Sequence, residues 1–293
     1  MKKTLLIYNP TAGREKAAQR VILARSILLE AGMEVDLFAT EKPGDAQKAA
    51  AGAHFDYDTI IAAGGDGTLH EVVNGIGLGG SNIKLGIIPA GTSNDFARAL
   101  RIPTDVRQAC RLIASGRVQK TDLGSLNGRL FINIAGGGNL TNISYEVPSR
   151  LKTYLGQLAY FAKSFEELPR LKPVRVRLEI PETVLEDDIM LFLTANSHAV
   201  GGFDHLAPSA SLTDGLLDLI VVKAVSLAEF VPIAARAFIG DHINHPKVTY
   251  LQTPWVKVSS LEEVYLNTDG EYAGKLPCTI KVHPRPLNII APQ

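Results

Sequence analysis

Cysteine is nearly absent from this 293-residue chain: Cys110 and Cys278 stand far apart, and no C-x-x-C occurs. That usage excludes a disulfide framework and a thiolate metal cage, and it fits a reducing cytosol. Net charge is absent too, because 30 Lys and Arg balance 30 Asp and Glu. No global field then draws the chain to nucleic acid or to an anionic bilayer, so any such attraction belongs to a local patch. Long hydrophobic runs are missing as well. Stretches such as Ile189 to Leu193 have the length of a strand and fall far short of the roughly 20 residues that cross a bilayer. The opening MKKTLLIYNP turns polar too early for a signal peptide. Neither an internal repeat nor a low-complexity segment is visible.

What is present is an ordinary globular composition, 46% hydrophobic and 20% charged, on a chain long enough for two domains. Thr4 to Tyr8 reads as a short strand ending in a polar loop from Asn9 to Gly13. A helical pattern through Val21, Leu28 and Ala31 then stops at Gly32. Strand and helix keep alternating: Glu34 to Thr40, Asp45 to Ala53, Thr59 to Ala63, Thr68 to Ile76, Ile83 to Ile88, then helices over Ser93 to Leu100 and Thr104 to Ser115. Continuous apolar strands between helices predict a doubly wound, mostly parallel sheet buried on both faces.

From Val118 strands dominate, at Val118 to Leu126, Leu130 to Ile134, Val174 to Ile180, Asp188 to Asn196, Leu216 to Val222 and several after Val248. This half reads as an antiparallel, β-sandwich-like domain. Two amphipathic helices interrupt it, one carrying Leu151, Tyr154, Leu155, Leu158, Phe161 and Phe165 on a single stripe, the other from Ser226 to Phe238. The expected division is an α/β nucleotide domain over 1–123, completed by the tail 285–293, and a β-rich domain over 124–284.

The stretch AAGGDGTLHE, Ala62 to Glu71, poses the central question: three glycines surround one carboxylate at the end of a buried strand. Loops at the carboxyl ends of parallel strands bind ligands, and a following helix directs its free N–H groups at them. Phosphate is the expected guest, with Mg²⁺ between it and Asp66. A strained turn with a helix cap is the competing reading. Pro89-Ala90-Gly91-Thr92-Ser93-Asn94-Asp95-Phe96 repeats the arrangement one strand later, and there Ser93 or Asn94 suits a helix N-cap.

Gly75 to Gly80 fits G-x-G-x-x-G but ends a helix instead of following a strand, so it is no dinucleotide fingerprint. His242 and His245 have metal-like spacing without a third ligand, which points to a solvated loop. Asp269 and Glu271 in LNTDGE lie on one face if the strand runs through Gly270, as a paired acid site would require; Asp-Gly is equally a hairpin signal. Ser211 to Leu216 is either a plain turn or a small cation site using Asp214.

Taken in order, Gly64 to Asn74, Pro89 to Arg98, GGFDHLAPSASLTDG and Asp269-Gly270-Glu271 resemble the diacylglycerol kinase catalytic-domain family, in particular its soluble bacterial lipid kinases. Gly-Gly-Asp-Gly-Thr alone is shared with NAD kinases and phosphofructokinases. The resemblance implies ATP held between two domains and touched by Asn9, Pro10, Thr11, Ala12, Gly13, Thr40, Gly65, Asp66, Gly67, Thr68, Leu69, His70, Glu71, Thr92 and Asn94. Asp66, Asp95, Asp122 and Asp269 match acidic positions of a carboxylate, water and Mg²⁺ network, and Glu271 or Asp269 would take the proton of the lipid hydroxyl. Ser211, Asp214 and the carbonyl of Leu216 match a second, structural Mg²⁺ site.

His70 stands where these kinases often carry Asn, and Phe203-Asp204-His205 replaces a more glycine-rich or aliphatic stretch, which bears on the acceptor. The expected activity is transfer of the ATP γ-phosphoryl to a lipid hydroxyl, diacylglycerol first. The alternatives are a kinase of a soluble acceptor such as NAD and a silent nucleotide-binding regulator. A cytoplasmic protein that visits the inner membrane face transiently, with Lys152 and Lys163 as a contact patch, completes the expectation; the resemblance admits a homodimer.

Overall fold

A computed structural model describes residues 2–11, 17–79, 82–138, 172–201 and 203–292. Ala12 and Gly13 of the first polar loop, and the Leu151 to Phe165 stripe with Lys152 and Lys163, lie outside them. The chain divides into two compact units, residues 1–123 with 284–293, and residues 124–283.

In the first unit, β1 (Lys2–Tyr8), β2 (Met33–Ala39), β3 (Thr59–Gly64) and β4 (Lys84–Pro89) run parallel in the order β2-β1-β3-β4. The end of the long strand β15 (Cys278–Ile290) extends the sheet, with Ile289 opposite Leu85. Alternation along the strands sends Leu6, Ile61 and Ile88 to one face. There they meet α1 (Ala17–Glu30) and α5 (Val106–Ser115) through Val21, Ala24, Leu28, Ala109 and Ile113. Two further helices, α2 (Asp45–Gly52) and α3 (Asp66–Ile76), pack so closely on each other that a Cβ on Gly75 would stand 2.3 Å from the Gln47 carbonyl. α4 (Asp95–Ala99) is a single short turn after β4. Asp105 caps α5 by accepting from Gln108 N at 3.0 Å.

The second unit is antiparallel. β7 (Ile134–Gly138) and β10 (Leu217–Lys223) flank β9 (Thr183–Ala195), which also pairs with β8 (Val174–Ile180). β11 (Val248–Thr253) follows β10, and β12 (Trp255–Ser259) joins β8 to the start of β15. β13 (Tyr265–Thr268) pairs with β7 and, through a two-residue turn, with β14 (Glu271–Lys275). The core contains Phe131, Phe192, Leu217, Leu219, Val256, Leu266 and Ile280. α6 (Leu227–Arg236) begins in a capping box of Ser226 and Glu229 and lays Ile233 on Ile220, Val222 and Val248.

One expected strand splits. Leu130 to Ile134 is not continuous: β6 (Arg129–Phe131) forms a hairpin with β5 (Val118–Leu126), residues 132 and 133 bend, and β7 begins at Ile134. The cause is a distant side chain, described below. β9 begins at Thr183, earlier than its apolar pattern, because pairing with β8 carries the polar half of the strand.

Candidate active site

Four loops with candidate nucleotide contacts leave the carboxyl ends of adjacent parallel strands. Asn9 to Thr11 follow β1, Thr40 follows β2, Gly65 to Glu71 follow β3 and Ala90 to Asp95 follow β4. Asn9 closes its own turn, its Oδ1 accepting from Thr11 N at 2.9 Å and Thr11 Oγ1 at 2.7 Å. Pro10 lies inside that turn, and Thr40 N donates to Tyr8 O at 2.9 Å.

The three glycines after β3 answer to different constraints. A Cβ on Gly64 would come within 2.4 Å of Thr68 Oγ1, four residues on in the same segment, and one on Gly91 would stand 2.5 Å from Gly65 Cα, where two loops touch. Gly67 has no such reason. Its φ lies outside the left-handed region, and a Cβ built there meets nothing within 4 Å. It sits in the first turn of α3, where the N–H groups of Gly67 and Thr68 have no carbonyl within the helix to bond. Open space over free N–H groups suits an anion.

The motif carboxylates are mostly engaged with main chain. Asp66 accepts from Asp95 N (Oδ2, 3.2 Å) and Phe96 N (Oδ1, 3.4 Å), so it caps α4 from 29 residues away. Neither Ser93 nor Asn94 supplies the expected side-chain cap. Asn94, at φ 49°, turns its amide back to Gly91, accepting from Gly91 N at 2.9 Å and donating to Gly91 O at 2.8 Å. Glu71 caps α2 in the same non-local way, accepting from Gly44 N at 2.9 Å and Ala46 N at 3.1 Å. Asp95 is buried and pairs with Arg98 at 2.9 Å, while Asp122 is fully buried and accepts from Arg285 N at 2.7 Å. Leu69 and His70 turn their side chains inward, and Leu69 N is spent on Gly65 O; Thr92 is exposed.

In the second unit, Asp269 and Glu271 do not share a strand face. Asp269 (φ 50°) and Gly270 (φ 89°) form the two-residue turn between Thr268 and its partner Glu271, the hairpin that Asp-Gly favours. The Asp269 carboxylate accepts from Ile132 N (2.8 Å), Asn133 N (2.9 Å) and Ile134 N (3.0 Å). That grip is what bends the chain before β7. No sequence signal marks residues 132–134, because every non-proline residue offers the same N–H. The Glu271 side chain is exposed at the head of β14, and its carboxylate makes no hydrogen bond or ion pair among the described residues.

The Ser211 to Leu216 loop is a turn that closes on itself: Ser211 Oγ accepts from Thr213 N at 3.3 Å and Asp214 Oδ1 from Leu216 N at 3.0 Å. Behind it Asp218 is buried, which raises its carboxyl above the usual range, and the Tyr250 hydroxyl donates to it; burial pushes Tyr250 up to about 12. Of the two histidines only His242 departs from the expected solvated loop, while His245 is half-buried beside exposed neighbours. His242 is buried, which holds its imidazole below the usual range, and His245 Nδ1 accepts from Lys247 N at 3.2 Å. No cluster of three or more His, Cys, Asp or Glu able to hold a metal occurs among the described residues.

With this geometry in view, the likeness to known proteins is specific. Residues 3–126 match the model of the diacylglycerol kinase catalytic domain, and residues 142–291 match that of the YegS C-terminal NAD kinase beta sandwich-like domain. A diacylglycerol kinase of Bacillus subtilis is 45% identical over 295 residues, covering 100% of this chain and 97% of the relative. The chain belongs to the diacylglycerol kinase family. A Staphylococcus aureus diacylglycerol kinase is 46% identical over 292 residues, 99% of this chain and 93% of its own. The crystal structure of a diacylglycerol kinase from Bacillus anthracis superposes with a TM-score of 0.84 at 28% identity, covering 99% of this chain and 97% of that one. The fold class of the family is therefore that of this chain, a parallel-rich α/β unit and an antiparallel β-sandwich unit. Among the described residues no helix is long and apolar enough to cross a membrane.

Proposed function

We propose that this chain transfers the γ-phosphoryl of ATP to the free hydroxyl of diacylglycerol, giving phosphatidic acid and ADP. Membership in a kinase family supports the reaction class, and the relatives' names support the acceptor. One observation supports the assignment of roles: of the motif acids, Asp66, Glu71, Asp122 and Asp269 accept main-chain N–H groups and Asp95 pairs with Arg98, while Glu271 is left without a partner among the described residues. An unengaged, exposed carboxylate is the one able to take a proton.

In this reading the first-turn N–H groups of Gly67 and Thr68 receive phosphate oxygens, and Asn9 to Thr11, Thr40 and Thr92 contact the nucleotide. The lipid oxygen forms a bond to the γ-phosphorus as the bond to the β,γ-bridging oxygen breaks, and the hydroxyl proton passes to Glu271. Positioning and charge neutralisation supply most of the rate. Asp66, and Asp95 whose N–H it accepts, offer carboxylate oxygens, which suits Mg²⁺ held by one or two carboxylates, water and substrate phosphate rather than by a protein cage. Bound there, Mg²⁺ would offset phosphate charge that Asp66 alone would repel. Ser211, Asp214 and Leu216 are oxygen donors of the same kind and would hold a structural ion.

Diacylglycerol stays in the bilayer, so the protein meets it from the cytoplasmic side by transient surface contact. Labelled ATP with vesicles containing diacylglycerol, and separately with NAD, tests the assignment. Labelled phosphatidic acid from the wild type, lowered by about two orders of magnitude or more in Glu271→Gln, is expected. Label in NAD alone overturns the acceptor, and wild-type turnover in Glu271→Gln removes that residue from the mechanism.

A further inference from the structure

Asp269 holds the hairpin at a point where three separate segments meet inside the second unit. Besides the three side-chain bonds, Asp269 N donates to Ile134 O at 2.9 Å, so residue 269 and residues 132–134 are joined four times. The 132–134 segment is held from its other side too. Asn196 N donates to Asn133 O at 2.8 Å, Asn196 Nδ2 to Ile132 O at 2.9 Å, and Ser197 Oγ to Asn133 Oδ1 at 2.9 Å. Asn133, Asn196 and Ser197 are buried, so solvent does not compete for these bonds. Within the turn itself, Asn267 Oδ1 accepts from Gly270 N at 2.8 Å.

A carboxylate has about four lone-pair positions in its plane, and three of those on Asp269 already face N–H donors. Taking a proton there would remove the charge that strengthens all three of these bonds to the 132–134 backbone. Two residues on, Glu271 stands free. Resting on the reading of Glu271 as the proton acceptor, we infer that Asp269 is a positioning residue: it locks the Asp-Gly turn to the 132–134 backbone, sets the place of Glu271 and takes no proton itself. Positive φ at both turn residues, 50° and 89°, is the shape that Asp-Gly favours, and the bonds to 132–134 fix where that turn sits. Arg129, whose Nη1 donates to Tyr272 O at 2.7 Å, is the nearby cation that steadies the next residue of the hairpin.

The test is a set of variants assayed for kcat and KM on diacylglycerol vesicles between pH 5.5 and 9. Asp269→Asn should lose about 10- to 100-fold in kcat with KM for ATP unchanged and with the midpoint of the acidic limb unmoved, as a misplaced but intact base requires. Glu271→Gln should lose more, about 100- to 10,000-fold, and flatten that limb. The double variant should be no slower than Glu271→Gln by more than about threefold, since two residues acting as one unit are not additive. Asn267→Ala loosens the same turn without touching either acid and should reproduce the Asp269→Asn pattern; it carries the test if Asp269→Asn does not fold, as judged by ATP binding.

A flattened acidic limb in Asp269→Asn, or losses that multiply in the double variant, overturns the inference. Wild-type rates in Glu271→Gln would instead sink the reading on which it rests.

Discussion

The glycine-rich segment after β3 and the acidic turn between β13 and β14 are built from similar letters, Gly-Asp-Gly-Thr-Leu-His-Glu and Thr-Asp-Gly-Glu, yet they deploy their acids differently. In the first, both carboxylates are occupied: Asp66 caps α4 and Glu71 caps α2. What stays open there is main chain, the N–H groups beside Gly67. In the second, Asp269 is occupied and Glu271 is open. In the proposed reaction the first segment receives negative charge and the second a proton. An acid within a motif is not thereby a reacting group; the test is whether its lone pairs are already taken.

Three changes within the first segment probe this contrast. Asp66→Ala should do the most, losing about two orders of magnitude in kcat and also about 1–3 kcal/mol of stability, because the Asp95 and Phe96 N–H groups lose their acceptor. Assay and melting on one preparation check both; full kcat would show that Asp66 serves only the α4 cap. Gly67→Ala should come next and split the two readouts. With nothing within 4 Å of the added Cβ, a helical Ala should leave stability unchanged or raise it by up to about 1 kcal/mol, while KM for ATP rises about tenfold as the methyl enters the phosphate's space. An unchanged KM would return Gly67 to plain turn chemistry.

Glu71→Ala should act least on chemistry. Its N-terminal cap of α2 is lost, costing about 1–2 kcal/mol in denaturant unfolding, with kcat within a few-fold of wild type. A loss of activity as large as that of Asp66→Ala, in a folded protein, would erase the distinction drawn between a capping acid and one beside the phosphates.

Much of the first unit was legible because its signals are local. Continuous apolar strands such as Thr59 to Ala63, helices between them and glycine-bearing loops at the strand ends each follow from residues adjacent in sequence. The start of the helix at Ser226 was legible for the same reason. The caps of α2 and α4 were not. The sequence points to Ser93 or Asn94 as the cap of α4, whereas the cap comes from Asp66, and α2 takes its cap from Glu71, 25 residues beyond Ala46. The single strand expected over Leu130 to Ile134 failed likewise, since Asp269, more than 130 residues away, turns the N–H groups of 132–134 toward itself. His242 is buried, and nothing in DHINHP announces that.

By itself the sequence determined the alternation of strand and helix, the change to antiparallel strands after Val118, the Asp-Gly turn and the residue types available for phosphate and proton chemistry. Backbone propensity and side-chain period act over a few residues and can be read there. Only the tertiary structure decided which acids are engaged and which stand open, because the main-chain N–H donors that occupy a carboxylate arrive from segments that the sequence places 25 to more than 130 residues away.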